Sequence, residues 1–166
     1  MAIRILVPLD GSSLAAAALA HAIGLASLEE THVTLLRVVE RTIAQQSVDP
    51  LDWHLQRSEA QAYLEQTSEL LKEFLPAGPE IILLEGRAAD RIVDYAQSEG
   101  FDFLVFTSHG RGGLTSWNMS SVASKIAARA ATSMLLVRPS ASSVAQYEGG
   151  LQPVRYRRIL VPLDGS

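Results

Sequence analysis

Short apolar runs alternate with stretches of helical periodicity, and this alternation constrains the fold more than any other feature of the chain. The strand-like runs are 3–9, 32–39, 80–84, 101–106 and 134–137, and the helical patterns are 14–26, 51–75, 88–98 and 121–131. Strands that are apolar along their whole length and separated by helices are typical of a parallel sheet covered on both faces. The sequence therefore predicts a doubly wound α/β fold with right-handed crossovers.

The longest helical pattern, 51–75, also predicts which side chains face the sheet. Pro76 and Gly78 follow it and predict its end. Residues at helical spacing predict an inner stripe that consists of Leu55, Ala60, Tyr63, Thr67, Leu70, Leu71 and Phe74.

One segment of nine residues occurs twice. Arg4–Ser12 reads RILVPLDGS and returns unchanged as Arg158–Ser166. Because chance rarely produces such a match, we interpret the second copy as the opening of a second, truncated domain of a tandem protein. Residues 140–154 are rich in Ser, Gly and Pro, which is typical of a linker. We expect a complete domain over 1–139, a linker over 140–154 and a first strand of the second domain over 155–166.

The repeated segment also has a consequence for assembly. Residues 158–163 are apolar, and an isolated apolar strand exposes an edge that can pair with another sheet. We expect them to add to a sheet edge or to exchange between chains, which favours a homodimer. In a tandem protein, the two domains would instead pair within one chain.

Composition excludes several classes of protein. Of the 166 residues, 48% are hydrophobic and 19% are charged, which indicates a globular domain and not a disordered chain. No run approaches the roughly 18 apolar residues of a membrane span. The net charge of −4 disfavours binding to nucleic acid through a basic surface. The absence of cysteine excludes disulfides, thiol catalysis and cysteine metal sites. We expect a cytoplasmic protein with neither nucleic-acid nor membrane partners.

Two loops rich in Gly and Ser follow the first and fourth predicted strands. If these strands are neighbours, 10–13 and 108–121 meet at the carboxyl edge of the sheet, where doubly wound folds bind ligands. Gly110, Gly112 and Gly113 leave backbone amides available to an anion, and Arg111 adds positive charge. Ser120 and Ser121 open a helix, where free amides and the helix dipole favour phosphate. Alternatively, the glycines only shape a connection and the serines only cap the helix.

These motifs, taken in order, carry a resemblance. Val7–Ser12 after the first strand, Gly86 after the third, Thr107–Gly113 after the fourth and Ser120–Ala123 beyond them resemble the universal stress protein family over residues 3–138. The resemblance implies a five-stranded parallel sheet in the order 3-2-1-4-5 with four helices, similar to the adenine nucleotide α-hydrolase fold. It also implies that the cleft binds ATP, with Mg²⁺ or Mn²⁺ accompanying the phosphates.

The family's nucleotide-binding pattern is Gly, two residues, Gly, nine residues, then Gly and Ser or Thr. On this sequence, the positions are Thr107, Gly110, Ser120 and Ser121. Thr107 resembles a frequent variant, whereas Ser120 places a side chain where glycine would let backbone amides approach a phosphate closely.

The resemblance implies roles for individual residues. Asp10 would lie against the nucleoside, Pro8 and Val38 would flank the adenine, and His109 would touch phosphate or ribose. An alternative for Asp10 is a capping or Asx-turn role, and for His109 a solvent-facing position. The expected nucleotide-binding set is Pro8, Asp10, Val38, Thr107, His109, Gly110, Arg111, Gly113, Ser120, Ser121 and Val122.

No catalytic or metal-ligating residues are assigned. The four histidines are too scattered to form a local metal motif, and no G-x-S-x-G elbow marks a nucleophile. We therefore expect a stress-response or regulatory protein with at most slow ATP hydrolysis. One alternative is a nucleotide-free dimerisation module whose phosphate site Ser120 has disabled. Another is an adenine-nucleotide-dependent enzyme of related fold.

Overall fold

The computed structural model describes residues 2–27, 30–40, 50–109, 120–139 and 150–163. Strands and helices alternate throughout these residues. The strands are β1 (Ile3–Pro8), β2 (Thr31–Val39), β3 (Glu80–Glu85), β4 (Phe103–Thr107) and β5 (Ser133–Val137). The helices are α1 (Ser13–Ala26), α2 (Pro50–Leu71), α3 (Ala88–Ser98) and α4 (Ser121–Arg129).

The strands form one parallel sheet in the order β3-β2-β1-β4-β5. At its centre, Ile5 of β1 is in register with Val33 of β2 on one side and with Phe103 of β4 on the other. After β1, the chain places β2 and then β3 on one side of β1. It then crosses to the other side of β1 and places β4 and β5 there. This confirms the doubly wound α/β fold and the predicted strand order.

Helices bury both faces of the sheet. Ile5 and the α2 residue Leu64 belong to a core beneath α1 and α2, whereas Leu6 and the α3 residue Ile92 belong to a core beneath α3 and α4. Successive side chains of a strand point to opposite faces, so neighbours in β1 serve different cores. Burial on both sides explains why the strands are apolar at nearly every position.

Several predicted boundaries shift. The largest shift is at the end of α2, which lies at Leu71 and not at 75, where the Phe74 amide donates to the Leu71 carbonyl (3.0 Å) in a turn. β4 begins at Phe103 and not at 101, because the Phe101 amide donates to the Ala96 carbonyl (3.1 Å) and closes the end of α3. α4 ends at Arg129 and not at 131, because Ala130 has an extended backbone (φ −70°, ψ 131°).

The inner face of α2 is narrower than predicted. Its buried residues are Ala60, Leu64, Thr67 and Leu71, which recur at helical spacing. The predicted stripe is wrong at Leu55 and Leu70, whose side chains are 58% and 56% exposed. At about 100° per residue, Leu55 lies roughly 140° around the helix from Ala60, away from the sheet. None of the described helices is long and apolar enough to cross a membrane.

The second copy of the repeated segment does not form a strand in this chain. Residues 158–163 join no sheet, and Ile159 and Leu160 are 80% and 90% exposed. The identical residues of β1 occupy the position between β2 and β4. A strand that is apolar along its whole length is stable in such a central position, with a neighbouring strand on each side. Residues 158–163 thus add to no edge of the sheet within this single chain. Addition to a sheet edge of another chain, or exchange between chains, stays a prediction.

The packing of α2 generates a prediction about stability. Leu64→Ala should lower the free energy of unfolding by about 2–5 kcal/mol, because it empties a fully buried site. Leu55→Ala, on the same helix, should change it by less than about 0.5 kcal/mol. Denaturant-induced unfolding of both variants measures the difference, and equal losses would contradict the observed helix face.

Candidate functional site

A cleft of about 820 Å³ lies at the carboxyl edge of the sheet. It forms where β1 and β4 run side by side, so that the turn after β1 faces the start of α4. Every described residue of the predicted nucleotide-binding set lines this cleft: Pro8, Asp10, Val38, Thr107, His109, Ser120, Ser121 and Val122. The remaining predicted residues, Gly110, Arg111 and Gly113, lie outside the described part of the chain.

The turn between β1 and α1 forms one wall. One carboxylate oxygen of Asp10 accepts hydrogen bonds from the Ser12 amide (2.9 Å) and hydroxyl (2.6 Å). The Ser12 hydroxyl oxygen in turn accepts from the Ala15 amide (3.1 Å) and caps α1. Gly11, between them, has φ +85°, a conformation that favours glycine. Asp10 therefore has the turn role that was predicted as the alternative to ligand binding. Asp10 also lines the cleft, so the turn role does not exclude contact with a ligand.

Arg37 is a cleft residue that sequence reasoning missed. Its guanidinium covers Gly11, with Nη1 only 2.9 Å from where a Cβ on that glycine would lie. It also stacks on the ring of Tyr63 of α2, 5.1 Å from the centroid, which is within the range of a cation–π contact. No spacing rule connects β2, the first turn and α2, so only the fold reveals this cluster.

The loop that follows β4 is held at both of its described ends. The Thr107 hydroxyl donates to the His109 carbonyl (2.6 Å), and the Ser108 hydroxyl bonds Nδ1 of His109 (2.8 Å). The Ser120 amide donates to the Ser108 carbonyl (2.8 Å), which draws the start of α4 against the end of β4. Thr107, Ser108 and His109 are all buried. The predicted solvent-facing alternative for His109 is therefore wrong.

The backbone amides in the first turn of α4 differ in their hydrogen bonding, because one is capped by a side chain and two are not. The Ser120 hydroxyl oxygen accepts from the Ala123 amide (3.1 Å), so this serine is the N-cap. Within the described residues, the amides of Ser121 and Val122 make no hydrogen bond. Helix N-termini leave such amides for caps, water or anions. The capping alternative for Ser120 is thus realised, yet two donors remain directed to the start of the helix.

Charge is distributed unevenly along the cleft. Its described acidic residues, Asp10, Glu40 and Glu59, come from the β1, β2 and α2 side, together with Arg37. The lining residues of α4 include no carboxylate. Glu40 has a defined partner, because its Oε1 accepts from the amide of Ala88 (2.6 Å) at the start of α3. The first turn of α4 therefore favours an anion more than the β2 side does, because Glu40 and Glu59 outnumber Arg37 there.

Other polar candidates lie away from the cleft. Asp90 of α3 accepts a hydrogen bond from Arg129 of α4, and this donor lowers the pKa of the Asp90 carboxyl below its ordinary value. This ion pair lies on an exposed helix face and not in the cleft. His21 contacts Tyr156. Among the described residues, no three His, Cys, Asp or Glu side chains group as a metal site would require.

The fold and site together define a doubly wound α/β domain with a ligand-sized cleft at its switch point. The model of the universal stress protein family matches residues 1–138, and the chain belongs to that family. Universal stress protein MJ0531 of Methanocaldococcus jannaschii is 28% identical in an alignment of 141 residues that covers 81% of this chain and 81% of the relative. The solved structure of hypothetical protein MJ0577 has a TM-score of 0.70 and 26% identity, and the match covers 84% of this chain and 98% of that one.

Two further solved structures with this fold are described with nucleotides. A universal stress protein in complex with cAMP has a TM-score of 0.62 at 20% identity, covering 83% of this chain and 98% of that one. A family member from Arabidopsis thaliana with AMP bound has a TM-score of 0.57 at 16% identity, covering 89% and 99%. At these identities, the likeness shows the shared fold alone.

The wall formed by the first turn generates a prediction. Ser12→Ala should lower the free energy of unfolding by about 1 kcal/mol, because it removes the cap of α1 and one partner of Asp10. Ser13→Ala is the neighbouring control, since Ser13 is the first helical residue and not the cap. Thermal or denaturant unfolding compares the two, and a loss at Ser13 that equals the loss at Ser12 would contradict the capping role.

Proposed function

We propose that the cleft binds an adenine nucleotide, ATP with an accompanying Mg²⁺ or Mn²⁺, and that the protein acts in a stress response as a nucleotide-regulated factor. One observation carries this proposal. The turn after β1, the end of β4 and the N-terminus of α4 converge on one cleft, and the amides of Ser121 and Val122 have no hydrogen-bond partner among the described residues. The family relatives that hold cAMP and AMP support adenine as the base.

The charge distribution gives the nucleotide an orientation. Phosphates would lie at the first turn of α4, where two amides, the Ser121 hydroxyl and the helix dipole favour negative charge. The base would lie at the opposite end, against Val38 and Pro8, on the side where Glu40 and Glu59 outnumber Arg37. The adenine amino group is a hydrogen-bond donor, so an acidic surrounding tolerates it.

A divalent cation would be held mainly by the phosphates. The described residues offer no cluster of three acidic or histidine ligands, and Asp10, Glu40 and Glu59 line the cleft separately. Mg²⁺ characteristically keeps several waters and takes one or two carboxylates together with substrate phosphates. The cleft therefore suits a cation that arrives with the nucleotide, and this chain supplies at most one or two of its ligands.

Binding without rapid turnover follows from the chemistry of the lining. The described lining residues show hydroxyls, amides and single carboxylates, but no nucleophile paired with a general base. Ser108 and His109 do bond each other, but Ser108 is buried and does not line the cleft. We infer regulation by nucleotide occupancy in the cytoplasm, with slow hydrolysis at most. Pairing with a second copy or a second domain of this family is part of the same proposal.

One observation favours a second candidate, an interaction module that binds no nucleotide. Ser120 stands where the family pattern has glycine, and its hydroxyl occupies the Ala123 amide that a phosphate would otherwise use. The phosphate site then has two free first-turn amides and not three. The two candidates differ in whether these two amides suffice.

Titration calorimetry with ATP and Mg²⁺ distinguishes the candidates. Ser120→Gly should bind ATP roughly 3–10-fold more tightly than the unchanged chain, because it frees the Ala123 amide and removes a side chain beside the phosphates. The substitution keeps most of the capping energy, since glycine is itself an acceptable N-cap. Ser124→Ala, further along the same helix, should leave the affinity unchanged.

Two outcomes would contradict the proposal. Absence of heat and of a thermal shift at millimolar ATP, for both the unchanged chain and Ser120→Gly, would leave the interaction module as the better account. Conversion of ATP to AMP and pyrophosphate with an acceptor substrate would indicate an enzyme of related fold.

A further inference from the structure

Gly24 occupies an unusual place for glycine, because it lies inside α1 without a bend or a cap to explain it. Glycine is among the least favourable residues in a helix interior. Here, a Cβ would overlap the carbonyl oxygen of Val154 and would lie 3.1 Å from its carbonyl carbon. Because Gly24 has no side chain, a second backbone can approach the outer surface of the helix closely at this position.

That second backbone belongs to residues 151–156, which we term the strap. The Val154 amide donates to the Ala20 carbonyl (2.9 Å), one helical turn before Gly24. A helical carbonyl already accepts from the amide four residues later, but its second lone pair leaves room for this additional donor. The strap therefore contacts α1 through both polar groups of one residue, with its amide at Ala20 and its carbonyl at Gly24.

Side chains anchor the strap on either side of Val154. Leu151 packs against the core beneath α1 and α2. The Tyr156 hydroxyl lies 2.6 Å from Nδ1 of His21, and the two rings are 5.8 Å apart between centroids. Partial burial lowers the pKa of His21 and raises the pKa of Tyr156, as expected for a contact that shields both groups in part from water. A neutral imidazole whose proton is on Nε2 accepts a hydrogen bond from the tyrosine hydroxyl at Nδ1.

We propose that Ala20, His21 and Gly24 form a dedicated receptor on α1 for the strap, so that the segment is an attached element of the domain and not a free tether. Three separate contacts, apolar at Leu151, main-chain at Val154 and aromatic at Tyr156, hold it in one register. The chain beyond Arg157 consequently leaves the domain from a defined point beside α1. This interaction surface is independent of the nucleotide proposal.

Amide hydrogen exchange on the full chain tests the receptor. The Val154 amide should be protected in the unchanged chain, and Gly24→Ala should reduce that protection by about tenfold or more, because the added methyl displaces the strap. The amides of α1 itself should stay as protected or become more so, since alanine favours the helix. This internal comparison separates loss of the strap from unfolding of α1.

A second variant tests the aromatic anchor without changing the helix. Tyr156→Phe removes only the hydroxyl that bonds His21 and should speed exchange at Val154 by a smaller factor, about 3-fold. Tyr95→Phe is the matched control, because Tyr95 stacks on Phe101 with the same centroid distance of 5.8 Å, remote from the strap. Tyr95→Phe should leave the exchange rate of the Val154 amide unchanged.

Trypsin supplies an independent measurement. The bond after Arg155 lies between two anchored residues, whereas the bond after Arg158 leads into the exposed segment. Cleavage after Arg155 should be slow in the unchanged chain and should accelerate in Gly24→Ala and in Val154→Pro, which lacks the donating amide. A Val154 amide that exchanges as fast as that of Leu163, or a cleavage rate after Arg155 that neither variant changes, would overturn the proposal.

Discussion

The parallel pairing of β1 with β4 is the constraint on which the rest of the structure depends. Because the two strands run in the same direction, their following loops emerge at the same edge of the sheet. The chain reaches this arrangement by reversing the direction of strand addition after β3. The turn at Asp10 and the helix start at Ser121 are far apart in sequence, yet they share one cleft for this reason alone.

Local hydrogen bonds then give the two ends of the cleft different chemical groups, a carboxylate at one end and backbone amides at the other. Ser12 and Ser120 each cap the helix that follows them, so the hydrogen bonds that begin both helices form without any ligand. Glu40 performs the same task for α3 from a neighbouring strand, which places a carboxylate at one end of the cleft. At the other end, the Ser121 and Val122 amides of α4 bond no residue that the structure describes. An elongated ligand with one anionic end and one neutral, aromatic end matches this distribution of charge.

The sequence predicted the structure correctly where a residue type is stable in one kind of environment only, such as a buried strand or a tight turn. Apolar strands and turn residues sufficed for the fold class, whereas the strand order and most of the eight described cleft residues came from the resemblance to the universal stress protein family. The pattern was ambiguous on α2, where Leu55 is apolar but faces away from the sheet. Contacts between distant elements left no periodic signal. Arg37 over Gly11, and Val154 against Gly24, depend on backbones that only the folded chain brings together.

A crystal structure with a slowly hydrolysed ATP analogue and Mg²⁺ tests the central claim most directly. The account predicts density for adenine beside Val38 and Pro8, and for phosphates within hydrogen-bonding distance of the Ser121 and Val122 amides. A cleft without density at saturating analogue, or phosphates at the Glu40 end with the base at α4, would contradict it.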